Sequence, residues 1–423
     1  MAQQVAPLAM WWRRFNDPLL TSLVVQALHA NTSILSAKAA LHQARAVRDT
    51  KSSALWPTLS ATSAAQRKQS DSNSPGNTFT AGVNVDWQAD IFGAQHKTLE
   101  ATDADALAAQ ASLGAVQVTA AADVALNYIQ LRGLQAQLAI ARSNFDNQNE
   151  TLQITTWRSE IGLATSLEVE QARTATEQTG SQIPAFESSI AKTAHILAVL
   201  TGQTPQSLQS LLTSEMPVPQ ANEALAQTIP AQTLRQRADV RAAEHRIRAA
   251  LARISAAEAA RYPSFSINGS LGLSALTLAG LANGAVVGKT LLGSVSVPLF
   301  DGGSVQAQVL VQEAALEQAR ANYQATVLTA LQEVEDALVA LDRDRERFVR
   351  LQSAAQAAAN AALLAQHRYA AGLIDFQTVL QTQRSLLSTQ DSVAIGHRNI
   401  SVDLVHLYKA LGGGWSNSST DVQ

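Results

Sequence analysis

The chain has 423 residues, and charged side chains make up only 15% of them, well below the roughly 25% of ordinary soluble proteins. The net charge of −3 argues against nucleic acid as a main partner, which would need a basic face. The absence of cysteine excludes disulfides, thiolate metal sites, cysteine nucleophiles and a lipid-modified cysteine in this sequence.

The sequence carries no signal for a transmembrane helix. It contains no uncharged, strongly apolar stretch of about 18–20 residues. Residues 1–10 also lack the basic flank and apolar run of a signal peptide. Taken alone, these features are typical of a cytoplasmic protein, and equally of a trimmed or mature chain.

The first half of the chain predicts two strands, a long helix and a return helix. A weak strand runs from about Leu59 to Gln69, and Phe79–Gln88 alternates strictly between apolar and polar residues. The polar residues 71–77 between them predict a loop. A long helix is predicted from about Ala94 to Ile161, and a second helix returns from about Ser166 to Leu200.

The second half predicts the same elements in the same order. Residues 264–274 and 291–297 alternate between apolar and polar side chains, with a loop of mostly small residues at 275–288. Residues 304–371 contain neither glycine nor proline and predict a helix, which at ~1.5 Å per residue is a rod of roughly 100 Å. A return helix is predicted over 376–411.

The two halves resemble each other at an offset of about 210 residues, which indicates an internal duplication too long for a solenoid unit. Arg158–Leu163 returns as Arg368–Leu373, so Gly162 and Gly372 occupy matching turns where helices commonly end. We therefore predict a first structural repeat over 1–205 with its hairpin at 59–92, a linker over 206–231, a second repeat over 232–415 with its hairpin at 264–300, and a C-terminal tail over 416–423.

The predicted strands are about 10 residues long, the length that a tilted strand needs to cross a bilayer. The same alternation is equally typical of an ordinary half-buried sheet. A two-stranded hairpin is marginal alone, and four strands cannot close a barrel. If the apolar faces meet lipid, the sheet must close across subunits, because every backbone group has to be paired there. This argument predicts an oligomer and leaves its size open.

No motif predicts an enzyme, a cofactor or a metal site. Gly288-Lys289-Thr290 resembles the end of a phosphate-binding loop, but Asn283 stands where the motif needs glycine. The histidines include no HExxH pair. Asp301-Gly302-Gly303 predicts a turn, and the charge run 342–347 predicts a solvated helix face.

Several segments resemble a known family. The residues are Trp11–Leu20, Val85–Gly93, Val297–Gly303, Arg368–Leu373 and Leu407–Trp415. They look like the corresponding segments of TolC/OprM-like outer-membrane efflux proteins of the NodT type, over nearly the whole chain. Members of this type usually carry a signal peptide and an acylated cysteine before the Trp-Trp segment, and neither occurs in this sequence. The chain is then trimmed, its start is misassigned, or it is a member held by its barrel alone.

The resemblance implies a fold that is mainly α with a β-barrel part. Each internally duplicated, long-helix protomer would give four strands to a trimeric, twelve-stranded transmembrane barrel, continued by a tunnel of helices in the periplasm. The linker would lie in an equatorial belt around that tunnel. The implied homotrimer lies in the outer membrane of a Gram-negative bacterium. It is a passive exit duct that docks to a periplasmic adaptor and an inner-membrane pump, without a cofactor.

Two alternatives remain beside the efflux duct. One is the outer-membrane channel of a type I protein secretion system, which the same fold serves. The other, from a different class, is a structural coiled-coil surface stalk. A sustained seven-residue repeat would favour the stalk, and the sequence shows none.

The resemblance also implies a closed periplasmic aperture at the turns around Gly162 and Gly372. The matching tyrosine is Tyr369, which we expect to donate a hydrogen bond to Glu168, with apolar support from Leu373, Ile374 and Phe376. Ile374 stands where the family has a basic partner, and neutral residues replace its ring of aspartates. The full set of expected aperture residues is Glu168, Tyr369, Ile374, Asp375, Thr378 and Gln381.

Strand alternation assigns the faces of the barrel. The expected lumen residues are Asn84, Asp86, Asn268 and Ser294, and the expected lipid-facing residues are Phe79, Val83, Val85, Trp87, Ile267, Leu271 and Val295. On this basis Val83→Lys should damage assembly more than Asn84→Lys. Removal of the predicted latch by Tyr369→Phe should raise conductance.

Overall fold

The computed structural model describes residues 9–70, 73–221 and 236–415. The chain divides into two compact units, which we call the helical unit and the sheet unit. The helical unit comprises Met1–Ala37, Leu113–Ala238 and Val327–Gln423, and the sheet unit comprises Lys38–Ser112 and Asp239–Thr326. Within the described ranges, no helix is both long and apolar enough to span a membrane.

The sheet unit is built on four antiparallel strands in the order β1-β2-β3-β4. The strands are β1 (Thr58–Ser70), β2 (Asn73–Ala89), β3 (Ser264–Ala275) and β4 (Val286–Ser296). Each sequence hairpin therefore forms as predicted, and the two hairpins join through β2 and β3. Two helices lead into the hairpins, α2 (Thr32–Ser53) before β1 and α7 (Ala238–Ala259) before β3.

In both hairpins the second strand begins earlier than the sequence predicted. Residues 73–77 were expected in a polar loop, but they extend β2, and Asn77 pairs with Arg67. Residues 286–288 likewise belong to β4 rather than to the preceding loop. Strands pair through backbone hydrogen bonds, which polar residues form as well as apolar ones do. Alternation of apolar and polar residues therefore reveals only the part of a strand that has an apolar face.

Two helices of 67 residues each dominate the chain, α3 (Ala94–Glu160) and α8 (Ser304–Ala370). Both begin as predicted, after a turn whose aspartate accepts backbone hydrogen bonds. Asp90 accepts from Gln95 N and His96 N, and Asp301 accepts from Gly303 N and Val305 N. Such acceptors satisfy the free amides at a helix start.

The return helices differ between the two halves. The second is continuous, α9 (Phe376–Ala410), but the first breaks into α4 (Ser166–Gly180) and α5 (Gln182–Leu200). The prediction of one continuous helix over 166–200 was therefore wrong. The cause is Pro184, which has no amide hydrogen to donate to the carbonyl of Gly180 and crowds that turn. The matching position in α9 is Ala394.

The helical unit has its main core around the N-terminal segment. Trp11, Trp12 and Phe15 are buried in a short 3-10 turn, and Trp11 stacks on Tyr408 at 5.4 Å between ring centroids. Asp17 then caps α1 (Pro18–Ala30) by accepting hydrogen bonds from the next two free amides. The aromatic cluster and this cap fix the N-terminal segment against the two long-helix pairs of the unit.

A buried polar network ties three segments of this unit together. The Tyr128 hydroxyl donates to Asp17 at 2.7 Å, and the Arg132 guanidinium donates to Tyr128 at 3.1 Å and to the Ser214 carbonyl at 2.6 Å. Gln135 donates to the carbonyl of Leu212 at 2.8 Å. Burial and the hydrogen bond to Asp17 raise the pKa of Tyr128, so its hydroxyl stays protonated and keeps donating.

The network reaches residues 212–214, which lie in the predicted linker over 206–231. Its described part contains the short helix α6 (Gln209–Leu212), and the carbonyl groups of residues 212 and 214 are bound from α3. Residues 222–231 of the predicted linker and the predicted tail over 416–423 lie outside the described residues.

We expect Arg132→Ala to lower the free energy of unfolding by about 1.5–3 kcal/mol, because it removes the buried guanidinium that donates to the Tyr128 hydroxyl and the Ser214 carbonyl. Chemical unfolding of the detergent-solubilised protein measures the change. The matched control is Arg343→Ala, whose side chain is 69% exposed and whose ion pairs lie at the surface. An equally small effect of both substitutions would contradict the structural role of the network.

Candidate functional site

The two inter-helix turns have the same geometry. Gly162 and Gly372 adopt positive φ angles of 74° and 73°, which an L side chain rarely tolerates. After each glycine the chain closes with a bond across the turn, from Leu163 N to Arg158 O at 2.7 Å and from Leu373 N to Arg368 O at 2.9 Å. These are the bonds of a Schellman cap, so both glycines end their long helices as the sequence predicted.

Large apolar side chains project from the turns into solvent. Ile161, Leu163, Leu167 and Leu373 are between 65% and 72% exposed. Leu373, which was expected to support Tyr369, is itself 72% exposed.

An apolar cluster lies next to the turns, and it holds Tyr369. Its buried members are Ala172, Ala175, Ala365, Phe376, Val379 and Leu380, which come from α4, α8 and α9. The Tyr369 ring packs on this cluster with its centroid 5.3 Å from that of Phe376, and Ile374 packs there too. The Tyr369 hydroxyl is buried and has no hydrogen-bond partner among the described residues.

The predicted hydrogen bond from Tyr369 to Glu168 is wrong for the protomer. The Glu168 carboxylate instead accepts from Thr165 N at 2.6 Å and from the Thr165 hydroxyl at 3.2 Å. The Glu168 amide in turn donates to the Thr165 hydroxyl, which completes a capping box at the start of α4. The carboxylate is therefore already engaged in capping its own helix.

A basic residue does reach Tyr369, but it comes from the first repeat. The Arg158 guanidinium lies over the Tyr369 ring at 4.6 Å from its centroid, and it donates a long hydrogen bond of 3.5 Å to the Tyr369 carbonyl. Burial raises the pKa of Tyr369, the Arg158 charge lowers it, and the nearby Glu168 charge raises it. Sequence reasoning missed Arg158, although the repeat match of Arg158–Leu163 to Arg368–Leu373 contained the signal.

Asp375 caps α9 and stays charged. Its carboxylate accepts from Thr378 N at 2.9 Å and from the Thr378 hydroxyl at 2.5 Å, and these hydrogen bonds lower the pKa of Asp375. Asp375 and Gln381 are both exposed. The turn before α9 thus presents one ionised carboxylate, together with the neutral side chains of Thr378 and Gln381.

The strand register gives the sheet one polar and one apolar face. Asp86 lies opposite Asn268, and the hydroxyls of Ser266 and Ser294 are 2.6 Å apart. Asn84 donates to the Thr62 hydroxyl at 3.2 Å. Pairing and alternation therefore place all four predicted lumen residues, Asn84, Asp86, Asn268 and Ser294, on one face.

Most of the opposite face is apolar, and its polar exceptions include Ser63, Arg67 and Lys289. Val83 lies opposite Leu271, and Trp87 lies opposite Ile267, as the alternation predicted. Lys289 lies opposite Leu271 on β4, so the row of Val83 already contains a cation. The next row on this face, Val85 opposite Gly269 and Gly269 opposite Leu291, contains no charge.

Long paired helices joined to a two-faced four-stranded sheet are the fold of TolC/OprM-type outer-membrane channel subunits. The model of the family described as outer membrane efflux protein matches residues 23–203 and 229–413. The chain belongs to the outer membrane efflux protein family and is an efflux channel protein of the Gram-negative outer membrane. The resemblance read from the sequence is confirmed, and so is the outer-membrane location that it implied.

Known relatives match over almost their whole length. The pyoverdine export outer membrane protein OpmQ of Pseudomonas aeruginosa is 30% identical over 428 residues, which cover 96% of this chain and 88% of OpmQ. Nodulation protein T of Rhizobium leguminosarum bv. viciae is 29% identical over 407 residues, which cover 96% of this chain and 84% of that protein.

Solved structures give the same result. The outer-membrane channel OprN is 33% identical with a TM-score of 0.90, over 96% of this chain and 93% of OprN. VceC of Vibrio cholerae is 25% identical with a TM-score of 0.89, over 96% of this chain and 99% of VceC.

The structure removes the reason to expect a higher conductance in Tyr369→Phe. Because the hydroxyl is buried without a partner, we expect this substitution to leave stability and conductance within error of wild type or to stabilise slightly. Tyr369→Leu, which removes the ring under Arg158, should destabilise the protein by roughly 1–2 kcal/mol. Thermal unfolding and single-channel recording compare the two variants. An increase in conductance in Tyr369→Phe would contradict this expectation and support the predicted hydrogen bond between Tyr369 and Glu168.

Proposed function

We propose that the chain is one protomer of a homotrimeric exit duct of a tripartite efflux system. The observation that carries this proposal is a sheet with one apolar face and two open edges. Among the described strands, β1 and β4 each have a single neighbour. A sheet in lipid has to pair every backbone group, and three chains of four strands close a twelve-stranded barrel.

Aromatic side chains at one end of the sheet support its place in a membrane. Trp56 precedes β1, Phe92 follows β2, Tyr262 precedes β3 and Phe300 follows β4, and all four are exposed. Phe92 stacks on Tyr262 at 4.8 Å. Barrels of outer membranes carry aromatic girdles at their interfaces, so this end is proposed to lie at the periplasmic boundary.

The proposed aperture is formed by the turns at Gly162 and Gly372. In a trimer, three copies of Asp375 would line it with a ring of charge, and Thr378 and Gln381 would add neutral side chains. Glu168 and Ile374 belong to the supporting layer, since the first caps α4 and the second packs on the apolar cluster. Tyr369 is held there by Arg158 rather than by Glu168.

The exposed turn residues are the proposed contact for a periplasmic adaptor. Leu163 and Leu373 occupy matching positions after the two glycines, and both point outward. A partner protein with shallow apolar pockets would accommodate these two leucine side chains. Relatives named for toluene and antibiotic efflux and for pyoverdine export support small molecules as the cargo.

We expect Val85→Lys to reduce the yield of assembled trimer in the outer membrane much more than Asn84→Lys. A lysine on the lipid face near mid-bilayer costs about 2–4 kcal/mol, whereas a lysine in a watery lumen costs little. Val85 replaces Val83 as the test position because Lys289 already shares the row of Val83. Equal yields of the two variants would contradict the assignment of the faces.

Planar-bilayer recording of the purified protein tests the duct itself. We expect discrete channels that prefer cations, because hydrogen bonds from Thr378 lower the pKa of Asp375 and keep it ionised. The charge is present above the lowered pKa and is lost only as pH falls through it. The preference should therefore stay constant from about pH 8 to pH 5.

Asp375→Asn should lower the cation preference, while asparagine still caps α9. The matched control is Asp342→Asn, which removes a carboxylate from the charge run on α8. A preference that survives Asp375→Asn would place the selective charge elsewhere. The absence of any channel would overturn the proposed function.

A further inference from the structure

The apolar face of the sheet carries two cations, and no acid of the described strands shares that face. Arg67 on β1 and Lys289 on β4 belong to the alternating set that contains Val83, and both side chains are exposed. Among the residues of the four described strands, Asp86 is the only acid, and it lies on the polar face. A charged side chain on a lipid-facing surface is costly without a partner, so its presence there points to a function.

Both cations lie toward the outer end of the sheet. β1 begins at Thr58 and β4 ends at Ser296, and these strand ends lie beside the exposed aromatic residues of the proposed periplasmic boundary. Arg67 is nine residues from Thr58, and Lys289 is seven residues from Ser296. At ~3.3 Å per residue and a tilt of about 40°, they lie roughly 23 Å and 18 Å from that boundary, in an apolar band about 25 Å tall. Their long side chains can therefore extend to the outer headgroups and are out of reach of the inner ones.

The register also fixes how the strands of adjacent subunits are offset. The row of Thr58 crosses the sheet through Asp86 and Asn268 to Leu292, and β4 continues for four more residues to Ser296. With the periplasmic ends of the strands at one level, a row rises by about four residues over three strand steps. On reaching β1 of the next subunit it rises by about six, because an odd shift would exchange the two faces.

This offset brings the two cations together across the subunit boundary. Within one protomer, the row of Lys289 ends on β1 at Ala61. Six residues further along β1 is Arg67. In the proposed trimer, Lys289 of one subunit is thus the cross-strand neighbour of Arg67 of the next, on the lipid side of the barrel. Like charges directly opposite each other repel, and an anion between them replaces the repulsion by charge-assisted hydrogen bonds.

We propose that each subunit boundary binds a phosphate group of lipopolysaccharide, the phosphorylated glycolipid of the outer leaflet, between Lys289 and the neighbouring subunit's Arg67. The Arg67 guanidinium can hold a phosphate with two parallel hydrogen bonds, and the Lys289 ammonium adds a point charge. Asn77 is exposed opposite Arg67 on β2, where its amide can bind the sugar that carries the phosphate. Val85 and Leu291 lie deeper on the same face, where acyl chains pack. This inference rests on the proposed function, because the site is complete only in the homotrimer.

Native mass spectrometry of the detergent-purified protein tests the site, because it reports subunit number and bound lipid together. We expect wild-type trimers to retain lipopolysaccharide after washing. Arg67→Gln/Lys289→Gln trimers should retain roughly tenfold less, since both charged donors are lost. The matched control is Lys68→Gln, which removes the adjacent cation on the polar face of β1 and should retain as much as wild type. Lys289→Arg keeps the charge and should also retain it.

Titration of the delipidated wild-type trimer identifies the anion. Purified lipopolysaccharide should bind and raise the temperature at which the trimer dissociates. Inorganic phosphate, or phosphatidylglycerol in the same detergent, should do neither. Phosphatidylglycerol that binds as tightly as lipopolysaccharide would overturn the assignment to the lipid of the outer leaflet.

A pair of introduced cysteines tests the register directly, because the sequence has no cysteine of its own. Arg67→Cys/Lys289→Cys should give covalently linked trimers with a thiol reagent that spans about 8 Å, the reach of direct and diagonal cross-strand neighbours. Ala61→Cys/Lys289→Cys should not, because the offset separates these positions by roughly 20 Å across the boundary. Linkage through position 61 instead would show that the offset is wrong and would overturn the site.

The remaining outcomes separate the inference from the proposed function. Each single substitution, Arg67→Gln or Lys289→Gln, should already lower the retained lipopolysaccharide, so the test does not depend on assembly of the double variant. Wild-type trimers without lipopolysaccharide, or equal retention in wild type and the charge-free variants, would overturn the inference alone. A monomeric wild-type protein would overturn the proposed function and the inference with it.

Discussion

A four-stranded sheet leaves two edges whose backbone groups have no partner among the described strands, and this constraint shapes the proposed assembly. β1 and β4 are those edges, and their unpaired amides and carbonyls cannot remain bare in lipid. The polar face, with Asp86 opposite Asn268, needs water. Closure with other copies satisfies both needs, since it pairs the edges and encloses the polar face. The duct is in this sense a consequence of backbone hydrogen bonding.

The helical unit contains two kinds of buried contact, one mainly apolar and aromatic and one polar. Where the N-terminal segment meets α3, Arg132, Tyr128 and Asp17 form a buried network, and fully buried aromatic and aliphatic side chains surround it. Such an arrangement has one good geometry. Nearer the turns, buried positions of α3 carry amides and hydroxyls, namely Gln137, Asn144, Gln148 and Thr155. One continuous helix thus carries both an apolar and aromatic buried stretch and a polar buried one.

Next to the turns at Gly162 and Gly372, the Glu168 carboxylate caps its own helix and does not bind Tyr369. Glu168 lies near enough to Tyr369 to influence its pKa, but the capping box with Thr165 takes its hydrogen bonds. Arg158 lies over the Tyr369 ring. The family resemblance had implied a basic residue at the position of Ile374 instead. The basic residue beside the Tyr369 ring therefore comes from the first repeat, whereas the family resemblance had implied one from the second. Their turns keep the same glycine geometry.

Much of the fold was predictable because its signals are local. The starts of α3 and α8 and the turns at Gly162 and Gly372 follow from residue types with strong backbone preferences. The break at Pro184 was equally local and was overlooked. The added length of the hairpins was not predictable from alternation, because polar residues pair their backbones as well as apolar ones do.

The sequence by itself determined the helices, the two faces of the sheet, the turn glycines and the family, because each depends on residue type and spacing along the chain. Only the tertiary structure decided which polar residues are buried. Asn144, Gln148 and Thr155 are buried, although in the sequence they look like a solvated stripe that no search for apolar repeats would find. The partners of Tyr369 and Glu168 were decided there too. Hydrogen bonds between distant segments depend on which groups the fold brings within 3 Å, and no local pattern specifies that distance.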